Sequence, residues 1–393
     1  MSETPDPAAS GSDASPPGSV SQERGADRAP APQNAAGAAR HPALRTRACE
    51  LFGVELPIVQ TGMGWVSGAQ LTAATAAAGG LGILASATMT FEELRAAIGK
   101  VKARTDKPFG VNLLPNQPDA AERIGLIISE QVPVASFAAA PKPDQVARLN
   151  DAGVVTIVTV GAKRHAEKVA AMGVKAVIAQ GGEGGGHTGS VPTSLLLPQV
   201  ADGVAGSDVV VLGAGGFFDG RGLVAALAYG ADGIAMGTRF LLTAESQVPD
   251  NITSIYLQTP LTGTVVTTAI DGAPQRVIRT AMIEALEKSP GLVRFPRAAA
   301  NAVSFARSAG VSLPELARTG LQMRKDQELT WAQVALAANA PMMTKASVVD
   351  GDAEVGILPT GQVVGAIEDL PPVAELLARI MDEADATLTR LSR

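Results

Sequence analysis

Val209-Val210-Val211-Leu212-Gly213-Ala214-Gly215-Gly216-Phe217-Phe218-Asp219-Gly220, then a helical stretch ending at Tyr229, then Gly233-Ile234-Ala235-Met236-Gly237-Thr238-Arg239, is the passage on which the fold turns. Two short apolar runs each end in glycine, and the segment between them has the length of one crossover helix, which is how parallel strands are joined. The pattern extends backwards through Pro57 to Gln60, Leu81 to Ala85, Phe109 to Leu113, Val134 to Phe137, Val154 to Val160 and Ala176 to Gln180. Helical stretches separate these runs at Ala69 to Ala78, Phe91 to Arg104, Asp119 to Glu130, Asp144 to Ala152 and Lys163 to Met172, and Gly222 to Tyr229 follows the seventh. Eight strand-helix units in about 190 residues suit an α/β closed (β/α)8 TIM barrel better than an open sheet. The alternative, a Rossmann-type sheet, needs Gly-x-Gly-x-x-Gly directly after its first strand. Thr61-Gly62-Met63-Gly64-Trp65 stands there instead, and the densest glycine loops follow the sixth and seventh strands.

Outside the 44–242 barrel the composition changes. Residues 1–43 are dominated by Ala, Pro, Ser and Gly, and are expected to form a disordered arm. Residues 243–350, with helical stretches at Ala281 to Lys288 and Trp331 to Ala338, read as a helical subdomain capping the barrel mouth. From 351 to 393, Leu358-Pro359-Thr360-Gly361-Gln362-Val363 returns toward the barrel and a charged helix from Pro372 to about Thr389 follows.

With 393 residues, 46% hydrophobic and 18% charged, the chain has apolar material for one large domain and an appended subdomain. A net charge of -6 argues against nucleic acid or an anionic membrane as the main partner. A single cysteine, Cys49, excludes an intramolecular disulfide and a Cys-rich metal site, and reads as a small core or surface residue. No uninterrupted apolar run reaches eighteen residues and no signal segment opens the chain, so a cytoplasmic location is expected, compatible with a homo-oligomer.

The chemistry concentrates in Gln180-Gly181-Gly182-Glu183-Gly184-Gly185-Gly186-His187-Thr188-Gly189, directly after the sixth strand. So much glycine is costly to order unless the backbone must approach something closely, and His187 can exchange a proton at neutral pH. The other histidines compete poorly: His41 lies in the arm and His165 on an amphipathic helix. The loops after strands seven and eight, where barrels of this kind often hold a phosphate, are also glycine-rich. Bare backbone N–H groups at a helix start can cradle that phosphate. Schiff-base chemistry lacks a strand-end lysine, Lys163 opening a solvated helix, and a thioimidate mechanism lacks a barrel cysteine. Three scattered histidines supply no metal site. What survives is a cofactor carrying its own redox chemistry, with the protein providing orientation and one acid-base group.

Pro57-Ile58-Val59-Gln60-Thr61-Gly62-Met63-Gly64, Ala78-Gly79-Gly80-Leu81-Gly82, Phe109-Gly110-Val111-Asn112-Leu113, the His187 loop and Met236-Gly237-Thr238-Arg239-Phe240 together resemble the nitronate monooxygenase family of FMN flavoproteins. The resemblance runs in matching order from about Leu44 to Thr389 and implies an FMN-binding barrel with an added helical subdomain. It implies that Gly62 and Met63 back the isoalloxazine and that Asn112 and Gln180 hydrogen-bond the flavin ring or ribityl chain. Gly185 and Gly186 would let the backbone lie close to flavin, while Gly215, Gly216, Gly237 and Thr238 hold the phosphate and His187 is the base. Core packing for Met63, a turn contact for Asn112 and a loop-ordering role for Glu183 are the competing readings.

Thr61-Gly62-Met63-Gly64-Trp65, Leu84-Ala85-Ser86-Ala87-Thr88-Met89-Thr90, Gly184-Gly185-Gly186-His187-Thr188-Gly189, Gly216-Phe217-Phe218-Asp219-Gly220-Arg221 and Glu328-Leu329-Thr330-Trp331 are similar to actinobacterial members linked to steroid C/D-ring breakdown. That similarity implies dehydrogenation of a hydrindane carboxyl-CoA thioester, with NAD(P) as electron partner. A nitronate monooxygenase using oxygen, an NAD(P)H-dependent enoyl-thioester or quinone reductase, and a non-enzymatic FMN-binding barrel are the alternatives. Between Arg276 and Lys325 nine Lys or Arg stand against three Asp or Glu, which suits either an anionic substrate or a solvated basic face.

Overall fold

In the computed structural model, which describes residues 40–288 and 331–393, eight parallel strands close into a barrel. They are β1 (Ile58–Gln60), β2 (Leu81–Ala85), β3 (Phe109–Leu113), β4 (Val134–Phe137), β5 (Val155–Val160), β6 (Ala176–Gln180), β8 (Val210–Ala214) and β9 (Gly233–Met236), and β9 pairs back onto β1. The two-residue β7 (Gly186–His187) lies outside the barrel. Each barrel strand is buried because alternate side chains serve two separate cores. Val59, Ile83, Val134, Ile157, Ile178 and Leu212 share the barrel interior with Ala48 and Phe52 of α1 (Arg47–Phe52). Ile58, Leu84, Val111, Ala135, Val158 and Val211 pack outward, in the cluster that also holds the helices' apolar faces.

The outer helices are α2 (Ala69–Ala77), α3 (Phe91–Lys102), α4 (Ala120–Ser129), α5 (Pro143–Asp151), α6 (Lys163–Ala170), α7 (Thr193–Gly203) and α8 (Gly220–Ala228). The sequence dictates them locally. In α3, Thr90 and Glu93 form a reciprocal capping box, with acidic residues in the first turn and Lys100 and Lys102 in the last. The close fit of α2 to the barrel needs glycine: a Cβ at Gly82 would stand 2.2 Å from the Thr72 carbonyl oxygen.

The eighth unit is completed from far along the chain. After β9 comes only the four-residue α9 (Thr238–Leu241), followed by α10 (Asp250–Gln258). Next come antiparallel strands β10 (Thr264–Thr267) and β11 (Gln275–Ile278), then α11 (Ala281–Lys288) and α12 (Trp331–Val348). The final helix α13 (Val373–Leu391) packs against α8 and α2, the place of the eighth barrel helix. Beside these helices the 243–350 segment, expected from its sequence to be helical, also contains a β-hairpin, which adds β7 as a third strand. Pairing with β7 gives those short strands a sheet partner, which their four-residue lengths alone did not announce. The expected disordered arm falls almost wholly outside the described residues, as do most of the basic 276–325 stretch and the 328–330 part of the motif ending at Trp331.

Candidate active site

The carboxyl ends of the barrel strands open into a cavity of ≈ 510 Å³. That is within the range of roughly 300 to 1,000 Å³ usual for small-molecule sites. Gly62, Met63, Asn112, Gln180, Gly185, Gly186, His187, Gly215, Gly216, Gly237 and Thr238 all line it. Around one side the wall is mostly backbone. Gly215 and Gly216 have φ of +93° and +84°, a pair of conformations that only glycine adopts without strain. A Cβ on Gly216 would meet nothing closer than 3.8 Å, so this turn presents bare main chain to open space. Gly62 lies flush on Asn112, where a Cβ would come within 2.6 Å of the Asn112 Cβ.

At the start of α8 the N–H groups of Gly220 and Gly222 already have side-chain partners. Asp219 Oδ1 accepts from Gly222 N–H at 2.9 Å, and Glu383 Oε2 accepts from Gly220 N–H at 2.9 Å. The glycine backbone that lines the cavity nearby is the Gly215-Gly216 turn, before α8, and Gly237, which precedes α9. Thr238 Oγ1 accepts from Gly361 N–H at 2.8 Å, which leaves its hydroxyl proton to donate.

The histidine loop is an ordered structure with contacts at several points. Glu183 accepts from Thr193 N–H at 2.9 Å and from the Thr193 hydroxyl at 2.7 Å, tying the loop to the first turn of α7. The Glu183 carbonyl accepts from Gln362 N–H at 2.9 Å, and a Cβ on Gly185 would stand 2.4 Å from Gly361 N. Arg276 on β11 donates from Nη2 to the Gly182 carbonyl at 2.8 Å; burial lowers its pKa, with Glu183 acting in the opposite sense. Gln180 Nε2 donates to the His187 carbonyl at 2.7 Å, which leaves its second amide N–H and its amide oxygen to face a ligand.

His187 does not stand alone. Its main chain pairs with Gln275 across β7 and β11, and its Nε2 lies 2.7 Å from Asp271 Oδ2. Asp271 occupies the turn between β10 and β11 and also accepts from Ala273 N–H and from the Gln275 amide. Burial opposes its charge, but the hydrogen bonds and the attraction of His187 outweigh it and hold the carboxyl below its ordinary value. Sequence reasoning missed Asp271. The available signal was Asp271-Gly272 between two apolar runs, a hairpin dipeptide.

Another part of the wall comes from α12. Ala340, Pro341, Thr344 and Val348 face the cavity alongside Trp65, whose indole N–H donates to the Pro341 carbonyl at 3.1 Å. Trp65 has φ +67°, and its own N–H donates to Thr88 Oγ1 at 3.2 Å. A bulky residue held in the left-handed region beside a cavity is a strained position, of the kind that clusters at functional sites. Among the described residues no cluster of His, Cys, Asp and Glu could hold a metal, and no helix is long and apolar enough to cross a membrane.

A parallel barrel with a glycine-walled mouth and one histidine at its rim defines a cofactor-using class of enzyme. The family model described as nitronate monooxygenase matches residues 45–125 and 120–383. The chain belongs to that family and is an oxidoreductase. It is 58% identical over 341 residues to the Mycobacterium tuberculosis protein named (3aS,4S,5R,7aS)-5-hydroxy-7a-methyl-1-oxo-octahydro-1H-indene-4-carboxyl-CoA dehydrogenase, covering 87% of this chain and 96% of that one. The protein of the same name from Rhodococcus jostii is 54% identical over 341 residues, with the same coverage of 87% and 96%. Among solved structures, FabK from Thermotoga maritima superimposes with a TM-score of 0.72 at 33% identity, covering 88% of this chain and 98% of that one. A nitroalkane oxidase from Streptomyces ansochromogenes gives 0.68 at 29% identity, covering 88% and 100%.

Proposed function

We propose that this protein is an FMN-dependent dehydrogenase of a hydrindane carboxyl-CoA thioester. The observation that carries the reading is the 58% and 54% identity, over nearly the whole length of both relatives, to dehydrogenases of that name. The site supports it. The Gly215-Gly216 turn, Gly237 and Thr238 fit a phosphate because they present backbone N–H groups and a hydroxyl without side-chain bulk. Gly62, Met63, Asn112, Gln180, Gly185 and Gly186 fit a flat ring system, and Trp65, Pro341 and Val348 give the same cavity an apolar wall that suits an apolar substrate. Bound FMN supplies the acceptor for a hydride from the carbon β to the thioester carbonyl. His187 takes the α proton, and the product is the α,β-unsaturated thioester. General-base catalysis of this kind contributes roughly 10² to 10⁴ in rate. NAD(P)+ is proposed as the final electron acceptor.

Anaerobic mixing of the FMN-loaded protein with a hydrindane carboxyl-CoA thioester tests the proposal: the flavin absorbance bleaches, and added NAD+ restores it with formation of NADH. Bleaching by propyl-2-nitronate alone overturns it in favour of nitronate oxidation, the second reading, which the structural similarity to a nitroalkane oxidase favours. Bleaching by NADH, with no reduction by the thioester, points instead to a reductase.

A further inference from the structure

His187 is held at three levels, and only one leaves it a chemical choice. Its backbone is fixed in β7 opposite Gln275, and its carbonyl is fixed by the Gln180 amide. Its ring is fixed through Nε2, 2.7 Å from Asp271 Oδ2. The two side chains differ in environment: Asp271 is 8% exposed and His187 67% exposed. The anchor is buried and the imidazole is open to the cavity.

A neutral imidazole carries its proton on one nitrogen only. Were that nitrogen Nδ1, the Nε2 lone pair would face a carboxylate oxygen at 2.7 Å with no hydrogen between them. Asp271 is already held as an anion by the N–H groups of Ala273 and Gln275, so it cannot supply that hydrogen. Gln275 Nε2 lies 3.3 Å from His187 Nε2, a longer and weaker approach than the one to Asp271. Nε2 is therefore the donor, and among the described residues Nδ1 has no partner.

Resting on the acyl-CoA reading above, we propose that Asp271 is a positioning residue that holds His187 as the Nε2–H tautomer, making Nδ1 the atom that takes the substrate proton. When Nδ1 takes that proton the ring becomes a cation, and the adjacent Asp271 carboxylate stabilises it without itself being protonated. Gln275, anchored in β11, keeps the carboxylate from rotating away. The hairpin β10–β11 thus belongs to the catalytic apparatus, although it lies outside the barrel.

The test uses FMN-loaded full-length protein with ¹⁵N-labelled histidine. The chain has three histidines, so a His187→Ala spectrum identifies the His187 signals by their loss. Substrate-free wild type is expected to show a protonated Nε2 and an unprotonated Nδ1; the reverse overturns the proposal. Asp271→Asn, whose amide N–H can face Nε2, is expected to move the population toward Nδ1–H. It should also lower kcat for flavin reduction by about 100-fold or more, with KM and bound flavin little changed. A kcat within about twofold of wild type, in a variant that melts as wild type does, overturns the proposal. If no thioester reduces the wild-type flavin, the substrate reading fails, while the tautomer measurement still decides the role of Asp271.

Discussion

The loops after β1, β6, β8 and β9 bring glycine backbone to the cavity, whereas the hairpin β10–β11 and helix α12 meet it with the side chains of Asp271, Gln275, Thr344 and Val348. The two regions divide the work. The barrel provides a glycine-rich wall, and each piece of it is encoded within a few residues. The excursion after β9 provides a carboxylate and an apolar wall, brought in over long sequence distances; Asp271 is 84 residues from its partner His187. On the function proposed above, cofactor binding and choice of substrate would vary separately, one in the barrel loops and the other in the excursion.

The largest effect that would break this comparison is expected at the junction of the two regions. His187→Ala should lower substrate-driven flavin reduction by about 100- to 10,000-fold while flavin binding persists, as followed by anaerobic stopped-flow absorbance. An unchanged rate would place the acid-base group elsewhere. Next is Gly185→Ala, on the barrel side. The new Cβ must displace Gly361 N and the Thr360 carbonyl carbon, each 2.4 Å away, and overpacking of this kind costs about 1 to 3 kcal/mol. Urea unfolding should show that loss together with weaker flavin binding. Retained flavin affinity would show that the return segment at Thr360 matters only to the fold.

Trp65→Phe is expected to be milder, because it removes only the indole bond to the Pro341 carbonyl. A loss of about 0.5 to 1.5 kcal/mol in urea unfolding is expected, and a larger loss would show that α12 is held to the barrel chiefly through this residue. The smallest effect is confined to acid. Burial opposes the charge of Asp369, but hydrogen bonds from Arg379 and Arg239 prevail and hold it below its ordinary value of 3.8. Its contribution to stability is complete above that value and disappears as pH falls through the lower, folded-state value. Asp369→Asn should flatten the decline in thermal stability below about pH 4, leaving the part due to Asp271 on the hairpin.

The barrel was legible because its strands are short apolar runs, most of them ended by glycine or a polar residue, separated by helical stretches. The strand limits fall within a residue of the sequence reading, from β1 at Ile58 to β9 at Met236. Helix α7 was not read, since Pro198 interrupts its pattern. The glycine positions of the cavity were legible for the same local reason. Nothing local marks Asp271 as a partner of His187: it is an ordinary turn aspartate until β7 joins β11. Nor could the sequence show that Asp219 and Glu383 take the first N–H groups of α8, because Glu383 approaches from the last helix.

That last helix has a further consequence. Gly220 in α8 lies so close to α13 that a Cβ there would be 2.3 Å from Ala384 N and Ile380 O. Leu376, Leu377, Ile380 and Met381 are the side chains with which α13 joins the outer core. As the polypeptide leaves the ribosome, α8 and α2 emerge well before the helix that covers them, separated from it by the whole excursion. Until α13 arrives, the nascent barrel carries an uncovered apolar seam, and exposed surface of that kind is what makes an incomplete chain prone to aggregate.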